Sequence, residues 1–247
     1  MSRRFLKKCG AVIVSLAMAL AMMFSLGACG GGGEPASSEV DFTKLTYAAF
    51  GDSITWGEDG ETHEQMRLPY PNLVAEALEL QNFYNYGKRG ATVTFVTTNE
   101  VVRVLVQEAT SKADIVSVMI GVNDFAGAQK LGTIDDTGYD TIYGSLKNLA
   151  DQLSQKYPKA FIFFMTPLKQ YKSAEVNSQG YRLSDVAQAV KDVCAVKGLP
   201  VLDMYETCAY SLENDSKSDG LHPTQKFMAT YATPQIVQFI QDNYSAK

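Results

Sequence analysis

Five short apolar segments alternate with segments of helical periodicity, and this alternation is what most limits the folds open to the chain. The apolar segments are LTYAAF at 45–50, NFYNYG at 82–87, DIVSVMIG at 114–121, AFIFFMTP at 160–167 and LPVLDM at 199–204. The helical segments lie at 71–80, 100–109, 142–153, 183–193 and 224–243, the last interrupted by Pro234. Regular alternation of strands and helices predicts an α/β domain, with a parallel sheet covered by helices on both faces.

The first 28 residues differ from the rest of the chain. A basic stretch, MSRRFLKK, precedes the apolar run AVIVSLAMALAMMFSL and then LGAC at 26–29. This order is typical of a secretory signal, and Cys29 follows small residues as the lipidated cysteine of a bacterial lipobox does. We therefore predict a lipoprotein signal peptide at 1–28 and an exported domain anchored to the cell membrane. The alternative is an uncleaved anchor helix, although the apolar run is shorter than the roughly 20 residues that a spanning helix needs.

The chain beyond the signal begins with a glycine-rich segment and is acidic as a whole. Lipidated Cys29 and a flexible linker are predicted at 29–43, and a single domain at 44–247. Removing 1–28 leaves 18 Lys and Arg against 27 Asp and Glu, a net charge of −9. An acidic domain would repel a phosphate backbone, so we expect no nucleic-acid partner.

Two cysteines remain in the predicted domain. Cys194 and Cys208 lie in a chain expected to meet oxidising surroundings, so they are able to pair. The alternative is two small buried thiols, the usual state of free cysteines. Neither their spacing nor their neighbours indicate a metal site.

Chemically useful residues come after the predicted strands. GDS at 51–53, NYGKRG at 85–90, GVND at 121–124 and DGLHPT at 219–224 occur in this order along the chain. Taken singly, each also reads as a turn, a helix cap or a structural histidine. In open parallel sheets, however, ligands bind beyond the carboxyl ends of the strands. The conjunction of all four motifs at strand ends favours a catalytic site.

These motifs resemble those of the SGNH hydrolases, also called the GDSL esterase and lipase family. The resemblance covers the whole predicted domain and implies a three-layer α/β/α fold of flavodoxin type. The family's serine, glycine, asparagine and histidine fall on Ser53, Gly90, Asn123 and His222, and the acid of its DxxH block falls on Asp219. The glycine block is loose, and Gly87 competes with Gly90.

The chemistry of these residue types is consistent with acyl transfer. A serine hydroxyl needs a base to remove its proton, histidine exchanges protons near neutrality, and a nearby acid orients the imidazole. The expected triad is therefore Ser53, His222 and Asp219. The backbone N–H groups of Ser53 and Gly90 and the side-chain amide of Asn123 are expected to form the oxyanion hole. Such a mechanism needs neither metal nor cofactor.

Other polar residues near the motifs are given structural or peripheral roles. Asp52 and Asp124 are expected to brace loops. Trp56 is either part of the substrate rim or packed against the first helix, and His63 is expected to be an exposed loop residue. The chain has no G-x-S-x-G sequence, which argues against the α/β-hydrolase fold.

The resulting hypothesis is a membrane-tethered serine esterase that acts on short acyl groups, such as O-acetyl on carbohydrate. The alternatives are a lysophospholipase or thioesterase acting on lipids, and a ligand-binding lipoprotein without turnover. A long-chain lipase would need an apolar trench, and no segment of the sequence identifies one.

Overall fold

A computed structural model describes residues 40–95, 102–208 and 219–245. The signal peptide, Cys29 and most of the linker predicted from the sequence therefore lie outside the described residues. In the described part of the chain, no helix is both long and apolar enough to cross a membrane.

The described chain forms an α/β fold around one parallel sheet. The strands are β1 (Thr46–Gly51), β2 (Asn82–Gly87), β3 (Ile115–Met119), β4 (Phe161–Met165) and β5 (Val201–Leu202). They are ordered β2-β1-β3-β4-β5, and every neighbouring pair is parallel. This is the flavodoxin-like order that places a switch point between β1 and β3, where ligands bind. The predicted fold class is confirmed.

Helices connect the strands and cover the sheet. They are α1 (Ser53–Trp56), α2 (Tyr70–Ala77), α3 (Val102–Glu108), α4 (Val122–Ala126), α5 (Ile142–Lys156), α6 (Leu183–Lys197) and α7 (Met204–Thr207). A short helix at Gln225–Phe227, a π turn at Met228–Ala232 and a last described helix at Thr233–Asn243 follow. Pro234 lies in the first turn of that final helix, where a missing N–H is tolerated, so the expected interruption takes the form of a new helix start.

The apolar segments form strands because both faces of the central sheet are buried. All five residues of β3 are buried, as are five of the six in β1 and four of the five in β4. Helix α5 packs on the sheet with the stripe Ile142, Leu146, Leu149 and Leu153, each at most 2% exposed. Burial on both faces fixes the position of the parallel strands, so their carboxyl ends lie at one edge of the sheet.

Two cysteines of the domain are buried in this fold. Cys194 lies in α6 as a free thiol, and burial raises the pKa of its thiol to about 12. Cys208 follows α7 and is 4% exposed. The two residues form no disulfide with each other in this structure, in agreement with the alternative of buried thiols.

Candidate active site

The register of the sheet places three of the predicted motifs at one edge. Gly51, the last residue of β1, pairs with Gly87 of β2 and with Met119 of β3. Ser53 therefore lies two residues after the end of β1, and Asn123 lies four residues after the end of β3. The expectation that the motifs meet at the carboxyl ends of the strands is met by this geometry.

Ser53 is the first residue of α1, at the point where β1 turns into a helix. The side chain of Asp52 caps this helix, because its Oδ1 accepts a hydrogen bond from the N–H of Ile54 at 2.9 Å. Ser53 itself is 3% exposed. Asp52 thus braces the turn that presents the serine, which is the role expected from the sequence.

Gly51 is required at this turn by lack of space. A Cβ at this position would clash with Oγ1 of Thr55 and with the backbone oxygen of Met119. The sequence suggests that Gly51 allows a sharp exit from the strand. The structure gives a different reason, the close approach of α1 and β3 to the end of β1.

His222 links the serine to an acid, although 169 residues separate it from Ser53. Its Nε2 lies 2.8 Å from Oγ of Ser53, and its Nδ1 lies 2.5 Å from Oδ2 of Asp219. The ring is nine-tenths buried. The structure therefore brings together the serine, imidazole and carboxylate in the order that nucleophilic catalysis requires.

Asp219 is held in place by its own loop. Its Oδ1 accepts hydrogen bonds from the N–H groups of Leu221 at 2.8 Å and His222 at 3.0 Å. Burial acts to raise the pKa of Asp219, but these hydrogen bonds and the contact with the His222 ring together hold it below its usual value. Asp219 is consequently a carboxylate that accepts a hydrogen bond from Nδ1–H of His222, and this leaves the lone pair of Nε2 directed at Ser53.

The loop that carries Asp219 and His222 rests on an aromatic side chain. The N–H of Tyr171 donates to the backbone oxygen of Gly220 at 2.9 Å, and a Cβ on Gly220 would lie 2.8 Å from Cβ of Tyr171. Gly220 also has a φ of +67°, which favours glycine. Any larger residue at position 220 would clash with Tyr171 and strain the loop that carries the histidine.

Two of the candidate oxyanion donors lie in the loop after β2 and in the helix after β3. Gly90 follows β2 with a φ of +72°, and Asn123 lies in the first turn of α4. One N–H of the Asn123 amide donates to the backbone oxygen of Ala91 at 2.9 Å, which joins α4 to the loop after β2. The amide carries a second N–H, so this bond orients the group without exhausting its donors.

Gly87, the competitor of Gly90, has a packing role. A Cβ at Gly87 would clash with the backbone nitrogen of Trp56, so α1 packs directly on this residue. Gly87 is needed to let the helix of the serine lie against β2. This leaves Gly90 as the glycine of the block that the structure places in a loop.

Asp124 braces the same region from within. Its carboxylate accepts hydrogen bonds from the N–H of Val93 at 3.0 Å and from the N–H and hydroxyl of Thr94 at 3.1 and 2.8 Å. Asp124 is fully buried, and this burial raises its pKa despite those hydrogen bonds. Its bracing role agrees with the expectation from the sequence.

Two residues at the site are not predicted from the sequence. Oε2 of Glu58 lies 3.4 Å from Nε2 of His222, on the side of the ring that faces the serine. Arg89 pairs with this carboxylate through two hydrogen bonds, Nη2 to Oε1 at 2.6 Å and Nε to Oε2 at 2.8 Å. Because Arg89 directly precedes Gly90, its position at a strand end is a signal in the sequence. The approach of Glu58 to His222 has no such signal, because the two residues are far apart along the chain.

Trp56 is half-buried beneath this ion pair. The Arg89 guanidinium lies 5.4 Å from the centre of its ring, a cation–π contact. Trp56 is itself the last residue of α1, so this contact does not test the alternative of packing against the helix predicted at 71–80. A contact between Trp56 and substrate stays a prediction.

A recess of about 450 Å³ opens beside Asp219. Apolar and aromatic residues form part of its lining, among them Phe125, Tyr171 and Val176, while Gln170 and Asn177 supply polar groups. Half of the Tyr171 side chain is exposed to solvent. A mixed lining of this kind suits a ligand with both polar and apolar faces.

Most of the domain matches one known protein family. The family described as GDSL-like lipase/acylhydrolase matches residues 49–229. No curated protein matches the chain.

Similar folds occur among solved structures. A Lactobacillus plantarum protein is 25% identical, with 83% of this chain and 100% of that chain covered and a TM-score of 0.71. A lipase/acylhydrolase from Enterococcus faecalis is 22% identical, with 82% and 98% covered and a TM-score of 0.58. A mutant of an acetyl-xylooligosaccharide esterase from Geobacillus stearmophilus is 18% identical, with 83% and 98% covered and a TM-score of 0.59. The last two likenesses are evidence of a shared fold.

Proposed function

Because the chain belongs to the GDSL-like lipase/acylhydrolase family and is an ester hydrolase, we propose that it cleaves esters through an acyl-enzyme on Ser53. The observation that carries this proposal is the chain of contacts from Ser53 Oγ through the His222 ring to Asp219. His222 takes the serine proton as Oγ attacks the ester carbonyl, and it returns this proton to the departing alcohol. It then activates the water that hydrolyses the acyl-enzyme, while Asp219 stabilises the charged ring.

The tetrahedral intermediate requires donors for its negative oxygen. We assign this role to the backbone N–H groups of Ser53 and Gly90 and to the side-chain amide of Asn123. The support is their common placement at the carboxyl edge of the sheet and the hydrogen bond that orients Asn123. Donors that are already oriented before the reaction stabilise the developing charge at little reorganisation cost.

The substrate that fits best is a short acyl ester, with O-acetyl on carbohydrate as the leading candidate. Two observations support this choice, the acetylesterase named among the similar folds and the mixed polar and aromatic lining of the recess beside Asp219. An exposed tyrosine at the rim of such a recess offers a flat face on which a sugar ring can stack. The carbohydrate hydroxyl is thus proposed as the leaving group and acetyl as the acyl group.

Hydrolysis of p-nitrophenyl acetate by the full chain and by Ser53→Ala tests the proposed mechanism. We expect the variant to lose nearly all of the activity, because removal of one member of such a triad costs on the order of 10⁶ in kcat. Equal, near-background rates for both proteins would favour the rival hypothesis, a ligand-binding lipoprotein.

A series of acyl lengths and leaving groups tests the substrate. We expect acetylated sugars to be cleaved faster than lysophospholipids or long-chain thioesters, and kcat/KM for p-nitrophenyl esters to fall with chain length. A rise of kcat/KM with chain length would exclude the acetyl preference and support a lipid acylhydrolase.

We also propose that the enzyme is exported and attached to the membrane by lipid on Cys29. The support is the order of basic residues, apolar run and small residues before this cysteine. Such a tether would hold the catalytic domain outside the cytoplasm, next to carbohydrate at the cell surface.

A further inference from the structure

We propose that Glu58, His63 and His222 form a zinc-binding site, and that a divalent zinc ion bound there inhibits the enzyme by occupying its base. The three residues each offer one ligand atom, and these atoms lie within 4.8 Å of one another. Two imidazoles and a carboxylate are a ligand set that zinc prefers over magnesium or calcium. Zinc binding stands on these residues alone, while inhibition rests on the proposed function.

One edge of the coordination tetrahedron already has the required length. Zinc binds nitrogen and oxygen at about 2.0 to 2.2 Å, which separates neighbouring ligands of a tetrahedral site by about 3.3 to 3.5 Å. Glu58 Oε2 and His222 Nε2 are 3.4 Å apart. His63 has to approach them by little more than an ångström, and its half-exposed side chain lies on a surface loop.

The tautomer of His222 suits a metal as well as a serine. Asp219 accepts a hydrogen bond from Nδ1–H, so the lone pair of Nε2 faces Ser53 and Glu58. A carboxylate bound to the far nitrogen of a metal-ligating histidine is a recurrent feature of zinc sites, where it fixes the ring and raises its basicity. The contact that prepares His222 as a base therefore also prepares it as a ligand.

Arg89 supports the carboxylate in the same way. Oε1 of Glu58 keeps its 2.6 Å hydrogen bond to Nη2 of Arg89 while Oε2 turns to the metal. Oε2 of Glu58, the oxygen that would bind zinc, also accepts a 2.8 Å hydrogen bond from Nε of Arg89. Zinc therefore displaces this one of the two hydrogen bonds between Glu58 and Arg89.

Two hydrogen bonds, one of them to a side chain, join the loop of His63 to the loop of His222. The N–H of Gly60 donates to the oxygen of Pro223 at 3.0 Å, and Oδ2 of Asp59 accepts the N–H of Gln225 at 3.1 Å. The N–H of His63 in turn donates to the backbone oxygen of Asp59 at 2.9 Å. The third ligand is thus carried by a loop whose base is fixed to the other two, which lowers the entropy lost on binding.

Zinc in this position blocks catalysis by a defined route. The metal takes the Nε2 lone pair of His222, so the proton of Ser53 Oγ has no acceptor and the serine stays a neutral, weak nucleophile. No covalent bond is made or broken, and removal of the metal restores the base.

The test is a zinc titration of p-nitrophenyl acetate hydrolysis by the full chain, its His63→Gln variant and its Glu64→Gln variant. We expect zinc to inhibit the parent reversibly, with recovery on adding EDTA, and magnesium to have no effect at the same concentration. Each variant is compared with its own zinc-free rate, because Nδ1 of His63 lies 3.8 Å from Oδ2 of Asp219. His63→Gln should raise the zinc concentration for half-inhibition by about 10- to 100-fold, the range seen when a supporting partner of a ligand is lost. Glu64→Gln removes a charge from the same loop without removing a ligand, and it should behave as the parent does.

Calorimetric zinc binding by Ser53→Ala separates this proposal from the esterase mechanism, because it requires no turnover. The double variant Ser53→Ala, His63→Gln should bind one equivalent of zinc per chain less than Ser53→Ala does. Zinc bound by cysteines elsewhere in the chain is the same in both proteins and cancels in this difference. Equal zinc binding with and without His63, or equal inhibition of the parent and His63→Gln, would overturn the proposed site. Loss of the equivalent without any inhibition of the parent would show that the ion does not reach Nε2 of His222.

Discussion

Replacement of Asp52 by asparagine is expected to change how the stability of the enzyme depends on pH. Asp52 is 1% exposed, and Oδ1 of its carboxyl group caps the helix that begins at Ser53. Burial raises its pKa to about 7, and the neighbouring carboxylates of Asp124 and Glu58 act in the same direction. In the folded enzyme this acid therefore keeps its proton to a far higher pH than it does in the unfolded chain.

The magnitude is set by this difference in pKa. A rise in the pKa from the ordinary value of 3.8 to about 7 is roughly three units, or about 4 kcal/mol at 1.36 kcal/mol per unit. For a group whose folded-state pKa is raised, this stability is fully present below the unfolded pKa and is lost as the pH rises through the folded pKa. Between about pH 5 and pH 8 the loss attributable to Asp52 amounts to about 2 to 3 kcal/mol.

Urea unfolding of the full chain and of Asp52→Asn at a series of pH values measures this loss. Asparagine keeps the side-chain oxygen that accepts the Ile54 N–H, so the helix cap survives while the ionisable proton is removed. We expect the free energy of unfolding of Asp52→Asn, relative to that of the parent, to increase by about 2 to 3 kcal/mol from about pH 5 to pH 8.

A matched control is Asp41→Asn, which also replaces a capping aspartate, but one on the surface and with a lowered pKa. This control should show no such increase with pH. If the curves of Asp52→Asn and the parent run parallel, Asp52 is not protonated in the folded enzyme, and the assignment of a buried neutral acid beneath the nucleophile is wrong.

Three further predictions address the site and the tether. Asn123→Ala should lower kcat by about 10² to 10³ with little change in KM, because it removes a hydrogen-bond donor to the tetrahedral intermediate. Steady-state kinetics measures this loss, and thermal unfolding shows whether losing the hydrogen bond to Ala91 also lowers stability. Asp219→Asn should lower kcat by about 10³ to 10⁴, because an amide that donates to Nδ1 selects the wrong tautomer of His222; a smaller effect than that of Asn123→Ala would contradict the assigned role. Cys29→Ser should move the esterase activity from the membrane fraction to the soluble fraction of the producing cells, and activity that stays with the membrane would exclude lipid on Cys29 as the anchor.

The sequence predicts a strand correctly where a continuous apolar segment is also buried in the folded domain. Segment 114–121 is predicted as a central strand and contains β3, all five residues of which are buried. Segment 199–204 yields only Val201–Leu202 as β5, because only these two residues pair with β4. The extent of an edge strand depends on tertiary pairing that a local pattern does not contain.

The candidate site is predictable to the extent that its residues fall in short motifs. Ser53, Asn123 and His222 follow strands or a strand-end loop, and the parallel sheet gathers such positions at one edge. The approach of Glu58 and His63 to His222 depends on how the loop after α1 folds back over the histidine loop. The raised pKa of Asp52 likewise arises from burial, which is a property of the assembled core.

The central claim is that Ser53 becomes acylated during turnover. Rapid acid quenching of the full chain with p-nitrophenyl acetate, followed by mass spectrometry of the peptide that contains Ser53, tests it most directly. We predict an acetyl group on this serine in the full chain and none on the corresponding peptide of Ser53→Ala. Acetyl on a different residue, or turnover without any modified serine, would contradict the account.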